Sequence, residues 1–460
     1  MILFVVIFLL AQCTKINQHV PEKEVEGLQT DGVLSRYHEV LNLPFSRHML
    51  HPGYLVGIEK SPRELIGLNT SFDEVHLTNS TTNSANISDE DLTRQQKVFE
   101  RTLGDPKAMF VSHILRYGRA QGDQQLKPGL FYSAYSKTAF GKAKKLLGDC
   151  HQRCAYQEGW QALQAMEEAL LKDIQSASKS KKPYTHIFVA AMGWNNDQLE
   201  SIERYNAIIE HTKRAAASSG SNFNPIVVGV TWPSVWGGQS VLDLANRTLH
   251  IASYPTKADD ADEIGYGLLN YVVNAMLPRI EAETRLTSIL AGHSMGARML
   301  TRAYFSSSHL KDAVPRKNVG PLVIGLQGAF SANRFRSDFS LSPLVDWVRS
   351  AESGPYQNLD APGGSMVLTW SREDHANPVA RFVTGAVHVG GKPGKEVMVD
   401  DELGDRVVPL NWEELRASST TCNRNKILYV DASSIIKTHS DIRNPEVGQL
   451  VWRSIECFGR

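Results

Sequence analysis

From about residue 157 the apolar positions change rhythm in a regular way. Trp160, Leu163, Met166, Leu170 and Ile174 recur every three to four residues, which predicts a helix burying one face. The segment Lys179 to Pro183 stops it, and Ile187-Phe188-Val189-Ala190-Ala191-Met192 is then an unbroken apolar run ending at Gly193, the signature of a buried strand. A helix over 197–217 follows, carrying Leu199, Ile202, Ile208 and Ile209, and then a strand at Ile226 to Val230. Ile264, Leu268, Val272 and Met276 predict a helix over 262–280, with Asp259, Asp260 and Asp262 at its start, where the helix dipole favours acids. A strand at Leu286 to Ala291, a helix from Met295 to Tyr304, and strands at Leu322 to Leu326, Met366 to Trp370 and Ile427 to Val430 complete the pattern. Strands alternating with helices predict an α/β domain whose mostly parallel sheet has helices on both faces. Its chemistry is expected beyond the carboxyl ends of the strands.

The upstream half is different. Residues 14 to about 105 are polar and mixed, and Asn69 to Asp91 is rich in Asn, Ser and Thr, which reads as a polar linker. Sequons at Asn69, Asn79 and Asn86 would matter only in a eukaryotic secretory pathway. Residues 106–155 give no clear period. The expected organisation is therefore a signal or lipoprotein-like segment at 1–13, an N-terminal extension over 14–150, and an α/β domain over 155–460. The apolar run Ile2 to Ala11 is too short for a membrane-spanning helix, which needs about 20 residues, and fits the core of a secretory signal. No Lys or Arg precedes it. Leu10-Ala11-Gln12-Cys13 resembles a bacterial lipoprotein cleavage box, which would make Cys13 a lipidation site, although Gln12 stands where a small residue is usual. Export to the periplasm, cell envelope or medium is expected, with a membrane-surface tether if Cys13 is acylated.

Composition narrows the class. With 42% apolar and 21% charged residues in 460, the chain is neither mostly disordered nor a polytopic membrane protein. Forty-nine Lys and Arg balance 49 Asp and Glu, so nothing points to nucleic acid. Setting Cys13 aside, Cys150, Cys154, Cys422 and Cys457 allow three pairings, of which Cys150–Cys154 and Cys422–Cys457 are the local ones. Cys150, His151 and Cys154 lack an evident third and fourth partner for a metal, so no metal is expected.

Gly292-His293-Ser294-Met295-Gly296 is the only G-x-S-x-G in the chain, and it sits between a predicted strand and a predicted helix. That context exposes a serine hydroxyl on a sharp turn, with glycines where side chains would collide with neighbouring backbone. A serine nucleophile needs a base, and the base an orienting acid, in the chain order Ser, acid, His. Asp374, just past the strand Met366 to Trp370, and His439, after the strand Ile427 to Val430, meet that order. Glu373 and Asp338 compete for the acid, His375 and His388 for the base; His293 reads as structural. Oxyanion donors are expected from the backbone N–H of Met295 and, in Gly193-Trp194-Asn195-Asn196, of Trp194.

Together these residues resemble the alpha/beta-hydrolase superfamily. The likeness is to a bacterial branch of uncharacterised serine hydrolases with a Gly-Trp-Asn turn, a Trp-Pro-Ser after the next strand and a His-Ser-Met-Gly elbow. Here these are Gly193-Trp194-Asn195, Trp232-Pro233-Ser234 and His293-Ser294-Met295-Gly296, in the expected order. The resemblance spans 157–460. Met192 stands where the family usually has His, and Gln327-Gly328-Ala329-Phe330 carries no acid where relatives often do, which favours Asp374. It implies an alpha/beta-hydrolase fold, a serine hydrolase of carboxylic esters or related acyl or lipid substrates without a cofactor, and substrate contacts from Gly193, Asn195 and Trp232. Trp236 and the segment Phe335 to Trp347 could line or cap the pocket. A noncatalytic envelope scaffold and an acyltransferase with the same triad are the alternatives.

Overall fold

In the computed structural model the residues described are 48–63, 66, 77, 89–118, 128–134, 155–234, 243–316, 320–336, 356, 365–377, 386–401, 403–417 and 422–459. The signal-like segment with Cys13, the sequons, Cys150, Cys154, Trp236, Asp338 and most of the expected cap lie outside them.

In chain order the main elements are β1 (Gly53–Pro62), α1 (Asp89–Leu103), β2 (Lys107–Tyr117), β3 (Pro128–Ser133), α2 (Ala155–Ser178), β4 (His186–Ala191), α3 (Gln198–Ser218), β5 (Pro225–Thr231) and α4 (Asp243–Tyr266). The short α5 (Leu268–Tyr271) runs through a π turn into α6 (Leu277–Thr284). Then come β6 (Thr287–His293), α7 (Met295–Tyr304), β7 (Leu322–Leu326), β8 (Ser365–Trp370), α8 (Lys392–Met398), β9 (Val407–Asn411), α9 (Trp412–Arg416), β10 (Ile427–Asp431) and α10 (Pro445–Cys457).

The strands form one ten-stranded sheet in the order β3-β2-β1-β5-β4-β6-β7-β8-β10-β9. Among the described strands β1–β2 and β2–β3 pair antiparallel and the others pair parallel. Each residue of β4, β5, β7 and β8 is buried. Successive side chains point to opposite faces, so both faces of this central part are covered. The predicted stripe of α2 is buried at all five positions, which contributes on the order of 2 kcal/mol per side chain. Elsewhere α10 packs on α3 and α4 on α7. Cys422 and Cys457 are joined by a disulfide.

Two expectations need correcting. The stretch expected as an N-terminal extension supplies β1, β2 and β3 to the same sheet, with β1 parallel to β5. The expected polar linker also ends inside helix α1, which begins at Asp89. The second correction concerns the helix expected from 262. It begins at Asp243 and ends at Tyr266, so Asp259, Asp260 and Asp262 lie in the last two turns of α4 rather than at its positive end. Asp260 and Asp262 are buried there against cations instead: Asp260 against Lys60 and Lys257, Asp262 against Arg298, Arg302 and Arg334. Among the described residues no helix is long and apolar enough to cross a membrane.

Candidate active site

The sheet order places a crevice at one point. From β4 the chain moves out to β5 on one side and then returns to β6 on the other. Loops leaving the carboxyl ends of β4 and β6 therefore diverge, which opens the ligand crevice of such sheets. Gly193 follows β4 and Ser294 follows β6.

Ser294 has φ 55° and ψ −118°, a backbone conformation that side chains disfavour and that costs about 1–3 kcal/mol. Three backbone hydrogen bonds hold it there. Ser294 N–H donates to Leu326 O at 3.0 Å, while its carbonyl accepts from Arg298 N at 3.2 Å and Ala329 N at 3.1 Å. Close packing explains the flanking glycines: a Cβ at Gly292 would lie 2.5 Å from Ala297 N, and one at Gly296 would lie 2.0 Å from Ala191 O. The loop after β4 approaches as tightly, since a Cβ at Gly193 would lie 2.5 Å from Ser294 Cβ and 3.0 Å from its Oγ.

Asp374 and His439 meet although β10 and its following loop come late in the chain. His439 Nδ1 donates to Asp374 Oδ2 at 2.8 Å. An ionised carboxylate only accepts, so this bond keeps the proton on Nδ1 and leaves Nε2 free to take one. Asp374 is buried and accepts four further bonds: Ala376 N at 3.0 Å and Asn377 N at 3.2 Å on Oδ1, and Asn377 Nδ2 at 2.8 Å and Gln327 Nε2 at 3.1 Å on Oδ2. Burial pushes its carboxyl upward. The His439 hydrogen bond and charge, with the Asn377 donors, outweigh this and hold it below the usual carboxylate value.

His293 fixes the other side of His439. Its Nε2–H donates to the His439 carbonyl at 2.8 Å. Burial, then the nearby His439 and Arg204, push its imidazole well below the ordinary histidine value, so it stays neutral. Ser294 Oγ makes no hydrogen bond among the described residues.

Ser294 and His439 line one cavity of about 510 Å³ with Trp194, Asn195, Asn196, Glu200, Arg204 and Tyr254. Met295 N–H opens α7 and has no carbonyl within the helix to meet, as at any helix start. The Trp194 loop is braced from beneath. Asn195 N donates to Ser234 O at 3.1 Å, Asn196 N to Ser234 Oγ at 3.1 Å, and Ser234 Oγ to Asn196 O at 2.6 Å. Asn195 itself has φ 63°.

Of the other residues named from the sequence, Trp232 is placed differently. It is buried, donates its indole N–H to Met192 O at 2.9 Å and is not in the cavity wall, so it braces the chain just before the Gly193 loop. His375 is exposed. His388 is buried with Nδ1 3.3 Å from Asn377 Oδ1 and 3.4 Å from Tyr254 Oη, which places it behind the acid rather than at Ser294. The sequence reading missed Gln327, Asn377, Tyr254 and Arg204. A signal for Gln327 was present, since it opens the turn where an acid was looked for; the others lie in segments without a motif. Comparison with protein-family models, curated protein sequences and solved structures finds no match to this chain.

Proposed function

We propose that the protein is a serine hydrolase of the alpha/beta-hydrolase type, cleaving a carboxylic ester or related acyl substrate. The observation that carries this is the strained Ser294, held against Gly193 in a cavity whose His439 is oriented by a buried, multiply bonded Asp374. Ser294 Oγ attacks the acyl carbonyl and His439 Nε2 takes its proton. Asp374 keeps the imidazole in the required tautomer and stabilises its charged form. The backbone N–H groups of Met295 and Trp194 are the oxyanion donors in this reading, at about 3 kcal/mol per donor. His439 returns the proton to the departing alcohol, and water then releases the acyl group with His439 again as base. The chemistry calls on no cofactor.

The Cys422–Cys457 disulfide supports export, because such bonds persist in oxidising compartments. The experiment is a panel of esters of increasing acyl length, run on wild type and Ser294→Ala. Turnover of at least one ester, with kcat lower by about 10⁶ in the variant, is expected. A correctly folded protein that turns over none of them would leave a noncatalytic scaffold as the better reading, and a variant as active as wild type would remove Ser294 as the nucleophile.

A further inference from the structure

Among the cavity-wall groups that the triad chemistry does not use is a cation, Arg204. Arg204 lies on α3, one helical turn after Glu200, and both line the cavity with Ser294 and His439. A Glu four residues before an Arg is well placed for an ion pair. Among the described residues Arg204 nevertheless has no acidic partner within 4.0 Å and makes no hydrogen bond, and its Nη1 is buried without one. The neighbours explain why. Glu200 is turned back to the helix start, accepting from Asp197 N at 3.2 Å, and Asp197 in turn accepts from Glu200 N at 2.7 Å, closing a capping box. Glu203, on the same helix, is taken by Arg443 at 3.7 Å. Asp197, Glu200 and Glu203 are thus each engaged elsewhere.

A guanidinium left unpaired in a cavity wall can serve as a recognition element. Its planar fork matches the two oxygens of a carboxylate or phosphate. We infer that Arg204 binds a terminal oxyanion on the substrate, so that the preferred esters are monoesters of dicarboxylic acids or esters carrying a phosphate rather than neutral fatty esters. This deepens the acyl-hydrolase reading and rests on it for the placement of the ester at Ser294. Burial and the neighbouring Arg443 both disfavour the charge on Arg204, opposed by Glu200 and Asp197, and an incoming anion would relieve that. In this role Arg204 is a specificity-determining residue and takes no part in proton transfer.

The test reads binding on the full chain carrying Ser294→Ala, so that hydrolysis does not enter. Calorimetric titrations compare monomethyl glutarate, methyl 4-phosphonobutanoate and neutral methyl valerate. At least one anionic ester should bind about 10- to 100-fold more tightly than methyl valerate, and the stronger of the two identifies carboxylate or phosphate as the class. Adding Arg204→Gln should abolish the preference, and Arg204→Lys should restore part of it. Equal binding of the charged and neutral esters, or a preference that survives Arg204→Gln, would overturn the inference. Should Arg204→Gln not fold, the charged-over-neutral ratio on Ser294→Ala alone decides. Neutral-ester hydrolysis by wild type without an Arg204-dependent preference would sink this inference and spare the hydrolase. Arg204-dependent anion binding without any hydrolysis would do the reverse.

Discussion

Two aspartates in this molecule are equally buried and differ in what surrounds them. Asp262, inside α4, accepts from Arg298 Nη2 at 2.6 Å, Arg334 Nη1 at 2.9 Å and Nη2 at 2.7 Å, and Arg302 Nε at 3.4 Å. Arg302 also lies 4.8 Å from the ring centres of both Tyr266 and Tyr356. None of these donors can give up its proton, and none lines the cavity beside Ser294. Asp374 accepts from amides and one imidazole, and that imidazole stands in the cavity wall. A buried carboxylate surrounded by guanidiniums fixes structure, whereas one whose donor can exchange a proton with a cavity can serve chemistry. The two regions also touch. Arg298 Nη1 reaches Ala329 O at 3.4 Å, and Ala329 N holds the Ser294 carbonyl, so the ion cluster braces the turn that strains the serine.

The comparison predicts separable losses. The largest is expected at Asp374→Asn, which should lower kcat by about 10⁴ through the wrong imidazole tautomer, while costing less stability than loss of Asp262. A similar kcat in the variant would remove Asp374 from catalysis. Asp262→Ala should instead lose stability, by about 3–5 kcal/mol in denaturant titrations, because it leaves buried guanidiniums uncompensated. An unchanged unfolding midpoint would show that the cluster does not hold the fold. The smallest effect is in acid. Both carboxyls are held below their ordinary value of 3.8, Asp262 the further, so the stability they add is present above about pH 4 and lost as pH falls below it. Asp262→Asn should flatten that acid limb of stability against pH more than Asp374→Asn does; equal limbs would contradict the ranking.

Much of the sheet was legible because its strands are apolar on both faces, and no surface segment looks like that. β4, β5, β6, β7, β8 and β10, and helices α2, α3 and α7, stand within a few residues of their expected positions. β1 and β2 were hidden by buried polar residues whose partners include groups far away in the chain. Lys60 in β1 pairs with Asp260, two hundred positions away, and His113 in β2 meets Ser112 Oγ at 2.9 Å and Gln198 Nε2 at 2.9 Å. Read locally, such side chains signal surface. The aspartates of α4 misled for the same reason, since an acid that caps a helix and an acid that meets three arginines look alike in one dimension. At the site, strand ends and chain order were enough to name Asp374 and His439, which the structure joins by a hydrogen bond, and Ser294, which lines the same cavity as His439. Trp232 was misplaced because Trp beside a predicted crevice says nothing about which side of the loop its ring takes.

The most direct test of the account is a fluorophosphonate probe, with the modified residue located by mass spectrometry. The account predicts a single adduct on Ser294, absent from Ser294→Ala and strongly slowed in His439→Ala. Labelling that proceeds equally in Ser294→Ala, or an adduct on another residue of the native protein, would contradict it.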